Sequence, residues 1–186
     1  VSPIYTSHEI AYMVADAGVE TAICMDTNYC YVKEASANTG LKRVIVTNMA
    51  DLLPPWKRFL GVLFDKIPSG KIEKNDRVIY FRSMLTHPPL VEKTAIDPWK
   101  DLSYVLYTGG TTGFPKGVQG THIGMTSYVN DVTEDVGGAH LMEGGDTYIA
   151  INPLFHIMAL GLFMAVGLNK GNTVMLMPVP QVDAIL

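Results

Sequence analysis

Tyr104-Val105-Leu106-Tyr107-Thr108-Gly109-Gly110-Thr111-Thr112-Gly113-Phe114-Pro115-Lys116-Gly117-Val118 is the most informative stretch of this 186-residue chain. A short apolar run delivers the backbone into a loop of three glycines and three threonines, closed by a lysine. Glycines let successive backbone N–H groups approach an anion closely. Threonine hydroxyls add donors to phosphate oxygens and can ligate a hard cation. Lys116 is the only positive side chain between Lys100 and Lys170. The combination suits a nucleoside triphosphate. It is not a Walker A loop: counting from Gly110, Pro115 stands where that motif needs its second Gly and Gly117 where it needs Ser or Thr. Nor does it follow G-x-G-x-x-G. The competing plain reading is a Gly/Thr turn that binds nothing.

Around the loop, helix and strand signals alternate. Thr6-Ser7-His8-Glu9 fits a capping box that starts a helix carrying Ile10, Met13, Val14 and Ala17, with Gly18 at its end. Thr21–Met25, Lys42–Thr47 and Arg77–Phe81 read as strands, with a helix over Tyr29–Ala37 between the first two. After Pro98 the expected order is strand (Tyr104–Tyr107), loop, helix, strand (Thr147–Ile151), helix (Ile157–Leu168), strand (Thr173–Met177). This alternation predicts an α/β fold with largely parallel sheets flanked by helices. Between the first strands and the loop, Pro54-Pro55 precedes Trp56, Leu60, Leu63 and Phe64 with Lys57, Arg58 and Lys66 interspersed. That pattern suits a helix lying on a membrane surface or, as we expect, one packed on its own domain.

Composition excludes several classes. Hydrophobic residues make up 48% and charged residues 17% of the chain, which rules out a disordered or coiled-coil protein. The net charge of −4 leaves no basic field for nucleic acid. After Asp101 the basic residues are Lys116 and Lys170 alone, against Asp131, Glu134, Asp135, Glu143, Asp146 and Asp183, so this half is expected to be covered or to line a site. The carboxylates from Asp131 to Asp135 read as a solvated helix face rather than a metal site. Cys24 and Cys30 read as reduced thiols, and His8, His87, His122, His140 and His156 form no metal-ligand spacing. From Thr147 to Asn169 the chain carries no Asp, Glu, Lys or Arg, but Asn152-Pro153 interrupts it too early for a membrane span. The absence of Met at position 1 and the apolar ending Asp183-Ala184-Ile185-Leu186 lead us to expect an excerpt from a longer protein.

The segment Thr108 to Gly117 resembles the signature loop of the AMP-forming, or adenylate-forming, enzymes, a pattern that average composition would yield about once in a million positions. The resemblance extends over nearly the whole chain. Thr121-His122 resembles the pair that opens the helix after that loop, and Asn152-Pro153-Leu154-Phe155-His156 the segment beside the nucleotide and acyl pocket. Gly171–Pro178 resembles the strand that follows, while Pro3-x-Tyr5-Thr6-x-x-Glu9 and Asp16-x-Gly18 resemble the helix preceding the family's first motif. Asp51-Leu52-Leu53-Pro54 and the strand Val78–Phe81 resemble the long-chain fatty acid CoA ligase branch in particular.

The resemblance implies an activity: a carboxylic acid and ATP give an acyl-adenylate and pyrophosphate, and the acyl group then passes to the thiol of coenzyme A. It implies that Thr108, Gly109, Gly110, Thr111, Thr112, Gly113 and Lys116 hold the β- and γ-phosphates, with Thr108 and Thr111 beside Mg²⁺. Gly109 stands where many relatives carry Ser or Thr, so it would contribute backbone only. Lys116 and His156 are the catalytic candidates, His156 lying near the α-phosphate and the acyl carboxylate. For His156 the plain alternative is a histidine satisfied within a core, and for His122 a residue that merely caps or packs. Met158, Leu160, Leu162 and Met164 would line the acyl channel or, more plainly, form core. The implied setting is cytoplasmic, in contact with a membrane surface if the Trp56 helix lies there, with a fatty acid, the rest of a longer chain and a second copy as partners. The family's later glutamate motif, ribose aspartate and C-terminal lysine do not occur in these 186 residues. We therefore expect part of a large N-terminal domain, inactive alone. The alternative is a non-catalytic nucleotide-binding module or an inert structural fragment.

Overall fold

A computed structural model describes residues 2, 4–64, 66–109, 114–136 and 143–177. The chain forms two compact units, residues 1–93 and 94–186. The expectations for Gly110–Gly113, His140, Pro178 and the apolar end at 183–186 lie outside the described residues.

The first unit opens with α1 (Ser7–Asp16), whose reciprocal capping box is present: Glu9 N–H donates to Thr6 Oγ1, and Glu9 Oε2 accepts from Thr6 N–H. Its end is a Schellman turn, with Val19 N–H donating to Val14 O and Gly18 N–H to Ala15 O. That turn needs a left-handed residue, and Gly18 supplies it at φ 62°. Next come β1 (Thr21–Met25), α2 (Tyr29–Ser36), β2 (Arg43–Thr47), α3 (Pro55–Leu63), β3 (Val78–Tyr80) and the single turn α4 (Phe81–Met84). The strands pair in parallel in the order β1-β2-β3, with Ile23 beside Ile45 and Ile45 beside Ile79.

Val14 of α1, Tyr29 and Val32 of α2, and Leu41, Val44 and Val46 form the core, with Ala22, Cys24 and Val78 packed against it. Alternation along β1 turns Ala22 and Cys24 inward and leaves Ile23 68% exposed on the other face. The polar connection after α3 is tied down: Tyr29 OH donates to Glu73 O, Asn48 Nδ2 to Pro68 O, and Lys33 pairs with Glu73. Helix α3 lies against the unit through Gly61, which abuts Ile67, and through Arg58 and Val62, which line the same cavity as Val46 and Ile72. Trp56, Phe59 and Leu63 are 61%, 66% and 62% exposed.

The second unit contains β4 (Leu102–Tyr107), β5 (Gly117–Thr121), α5 (His122–Asp131) running into a π-helical turn (Val132–Val136), and β6 (Thr147–Ala150). A π-helical segment (Ala159–Val166) then leads through the short α6 (Gly167–Asn169) to β7 (Thr173–Leu176). β6 and β7 pair in parallel, as expected from a crossover helix. β4 and β5 pair antiparallel, an element absent from the sequence expectation. Gly117-Val118-Gln119-Gly120-Thr121 is poor in β-formers, so the strand exists through its partner rather than its own propensity. The helix expected at Ile157–Leu168 is present but not wholly interior. Ala159, Gly161 and Val166 are buried, whereas Ile157, Met158 and Leu168 near its ends are exposed. Among the described residues no helix is long and apolar enough to cross a membrane.

Candidate nucleotide site

The hairpin β4–β5 presents the signature loop. Tyr107 and Gly117 are the last paired residues, and one step further Thr108 N–H donates to Lys116 O at 3.0 Å. Lys116 N–H in turn donates to Thr108 Oγ1 at 3.3 Å. The first and last candidate residues of the loop are thus held side by side at its mouth. Thr108, Gly109 and Lys116 are all exposed, and Lys116 forms no ion pair among the described residues. No other described residue comes within 4 Å of a Cβ built at Gly109, which leaves its backbone open to an anion on that side. Gly110, Thr111, Thr112 and Gly113 lie between these anchors, outside the described residues.

Beneath the mouth, Tyr104 on β4 faces Gly120 on β5. A Cβ at Gly120 would overlap the Tyr104 ring, so the glycine makes room for the aromatic across the hairpin. Thr121 then caps α5 by accepting from Gly124 N–H at 3.2 Å. His122 is therefore the first helical residue, half-buried, and the cap is its neighbour.

His156 lies on a second turn, beyond the carboxyl end of β6. Its N–H donates to Pro153 O at 2.9 Å, and its Nδ1 accepts from Met158 N–H at 3.3 Å. The side chain is exposed rather than satisfied in a core, and it caps the following helical segment. With Nδ1 accepting, the neutral ring carries its proton on Nε2, which suits donation to an anionic oxygen. Asn152 Nδ2 reaches Met158 Sδ at 3.1 Å and pins the same turn.

Divalent-cation chemistry fits a limited donor set. Among the described residues no group of three His, Cys, Asp or Glu side chains could hold a metal. Thr108 Oγ1 is a hard oxygen whose backbone is fixed by the hairpin, and Mg²⁺ is ordinarily held by few protein groups together with substrate phosphates. A cation carried in with a triphosphate suits this site; a protein-only cage does not.

A further concavity was not visible in the sequence. A cavity of about 380 Å³ opens where β1, β2 and β3 end, lined by Asp26, Asn48, Asp51 and Arg58 among others. Asp26 is buried, accepting from Thr27 N–H at 2.9 Å and Asn48 Nδ2 at 2.8 Å. Asp51 accepts from Asn48 N–H and from the Thr47 hydroxyl. The available signal was a polar residue directly after each of two strands, the usual place for ligand groups on a parallel sheet.

The family model described as "AMP-binding enzyme" matches residues 1–186. The chain belongs to this family. It is 30% identical over 183 residues to a long-chain-fatty-acid–CoA ligase of Bacillus subtilis, covering 95% of this chain and 32% of that protein. Its fold matches that of a long-chain-fatty-acid–CoA ligase from Archaeoglobus fulgidus, with a TM-score of 0.69 at 23% identity over 98% of this chain and 30% of the other. It also matches ATP-bound MatB from Rhodopseudomonas palustris, with a TM-score of 0.64 at 21% identity over 100% of this chain and 31% of that one. The chain spans about a third of the length of the relatives it matches. The likeness accounts for the α/β architecture.

Proposed function

We propose that the protein carrying this chain activates a long-chain fatty acid with ATP. The carboxylate oxygen attacks the α-phosphorus, the bond to the bridging oxygen of pyrophosphate breaks, and acyl-AMP forms. The thiol of coenzyme A then attacks the acyl carbon, AMP leaves, and the thiol proton passes to solvent or a base. The observation that carries this reading is the Thr108–Lys116 clasp, which supports convergence of loop N–H groups, threonine hydroxyls and the Lys116 cation, without an ion pair among the described residues, on a polyphosphate. Family membership and the fatty-acid ligase relative support the reaction type and the acyl class.

In this proposal Thr108, Gly109, Gly110, Thr111, Thr112, Gly113 and Lys116 hold the β- and γ-phosphates. Positioned donors are what such a displacement requires, because charge spreads over phosphate oxygens without a covalent nucleophile on the protein. His156 donates from Nε2 to an α-phosphate or carboxylate oxygen. Thr108 and Thr111 would hold Mg²⁺, which would supply neutralisation of phosphate charge. The free thiols of Cys24 and Cys30, and the use of ATP and coenzyme A, support a cytoplasmic setting.

The 186 residues by themselves are proposed to be inactive, since the reaction belongs to a protein about three times as long. The test is ATP–pyrophosphate exchange by the complete protein, with and without Mg²⁺, against fatty acids of graded length and an aryl acid. Exchange stimulated most by long-chain acids is expected. Exchange with the aryl acid alone overturns the acyl class, no acid-dependent exchange overturns the reaction, and robust exchange by the 186-residue chain overturns its proposed inactivity.

A further inference from the structure

His156 is built into the start of the helical segment that follows β6. Its N–H donates to Pro153 O at 2.9 Å, and its C=O accepts from Leu160 N–H at 3.0 Å. Its ring Nδ1 accepts from Met158 N–H at 3.3 Å. The backbone bonds fix where the residue sits, but only the ring bond sets the rotation of the imidazole. At 3.3 Å it is long for a hydrogen bond of this kind. A long bond to one backbone N–H holds a ring well only when the donor is itself held.

Met158 is held from its other end. Asn152 Nδ2 donates to Met158 Sδ at 3.1 Å, across the turn that carries His156. Asn152 precedes Pro153, and the residue before a proline is kept out of the helical region, so Asn152 stays on the strand side of that turn. Its amide therefore joins the end of β6 to the first helical turn. A methionine side chain is unbranched, with three rotatable bonds, and needs such a contact to adopt one position. Met158 is thus engaged twice, its N–H on the ring of His156 and its sulfur on Asn152. All of these contacts lie between Asn152 and Leu160, within one short segment of the chain.

We infer that Asn152 is a positioning residue for His156, acting through Met158: its amide holds the methionine whose N–H occupies Nδ1, and so keeps the neutral ring protonated at Nε2. The inference rests on the role proposed above for His156, and Asn152 itself touches no reacting atom. A thioether is a weak acceptor, so the contact contributes little to stability. Its consequence is geometric. Without it the Met158 N–H aligns less well with Nδ1, the ring turns, and the other tautomer becomes accessible. A donor misplaced by about 1 Å can cost about 100-fold in rate, so a small rotation of the ring is enough to be measured.

The experiment uses the complete protein with Asn152→Ala, with Met158→Leu, and with both. Met158→Leu keeps the size and the backbone N–H and removes only the sulfur. Each single substitution is expected to lower kcat for acid-dependent pyrophosphate exchange by about tenfold and to leave the KM for ATP within about twofold. The double variant should fall no further than either single one, because both break the same contact. In a His156→Asn background, Asn152→Ala should change the rate by less than about twofold. Nitrogen-15 spectra of histidine-labelled protein, read without substrate, give the tautomer, with the His156 signals identified by their loss in His156→Asn. They should show Nε2–H in the unsubstituted protein and a mixture of tautomers in Asn152→Ala. Unchanged kcat in both single variants, losses that multiply in the double variant, or an Asn152→Ala loss that persists in full beside His156→Asn overturns the proposal. So does an unchanged tautomer in Asn152→Ala. If the unsubstituted protein shows no acid-dependent exchange, the reaction proposed above falls, while a tautomer shift in Asn152→Ala still supports the positioning role.

Discussion

Thr108 and Lys116 clasp each other across the mouth of the loop through two bonds, Thr108 N–H to Lys116 O and Lys116 N–H to Thr108 Oγ1. Only one of these uses a side chain, and it belongs to Thr108. Among the described residues the Lys116 ammonium makes no ion pair, which under the proposed function leaves it for phosphate. Lys116→Ala should leave the melting temperature unchanged and lower adenylate formation by about 100-fold or more, read by pyrophosphate exchange in the complete protein. Thr108→Val removes the side-chain acceptor and should lower stability by about 1 kcal/mol as well as activity.

His156 combines an observed capping bond with the role proposed for it at the reacting phosphate, and one substitution confuses the two. Its Nδ1 caps the helical segment through Met158 N–H, so His156→Ala should cost about 0.5–2 kcal/mol of stability in addition to activity. His156→Asn retains a capping oxygen and should restore the stability without the activity. Denaturant melts and exchange assays on the pair separate the two roles. Full activity in the Asn variant would assign His156 to capping alone.

Gly120 and Tyr104 share one space across the β4–β5 hairpin. Gly120→Ala should destabilise the protein by about 1–3 kcal/mol, the cost of forcing a side chain into an occupied position. In the background of Tyr104→Ala the same change should cost less. A double-mutant cycle by chemical denaturation measures the coupling.

Burial pushes the Cys24 thiol up to about 11 from an ordinary 9.0, with the Asp26 carboxylate adding to the rise. The folded state thus binds the thiol proton more tightly than the unfolded chain does. This contribution to stability is fully present below pH 9 and should be lost between about pH 9 and pH 11. Cys24→Ala should flatten that part of the pH–stability curve. At pH 8 iodoacetamide should label exposed Cys30 well before half-buried Cys24.

Much of the fold could be read directly because its signals are local. The capping box at Thr6, the glycine stop at Gly18 and the strand Thr21–Met25 appear at the expected residues, since each depends on neighbours within a few positions. The proposal of phosphate chemistry at Thr108–Gly117 rests on the same kind of local signal: donors, glycines and a lysine are contiguous. The second strand of its hairpin was not legible, because Gly117–Thr121 is a strand only when β4 lies beside it.

The same division explains the remaining surprises. Periodicity identified an amphipathic helix near Trp56 but could not say which way its stripe turns, as that depends on what the rest of the chain leaves uncovered. Nor could it foresee that Asp26, Asn48, Asp51 and Arg58, up to 32 positions apart, meet around one cavity. Local chemistry determined most of the elements and pointed to the family and to the candidate phosphate loop. Only the tertiary structure decided how Thr108 meets Lys116 across the hairpin and which apolar side chains stay exposed, because those outcomes depend on how separate segments pair and pack.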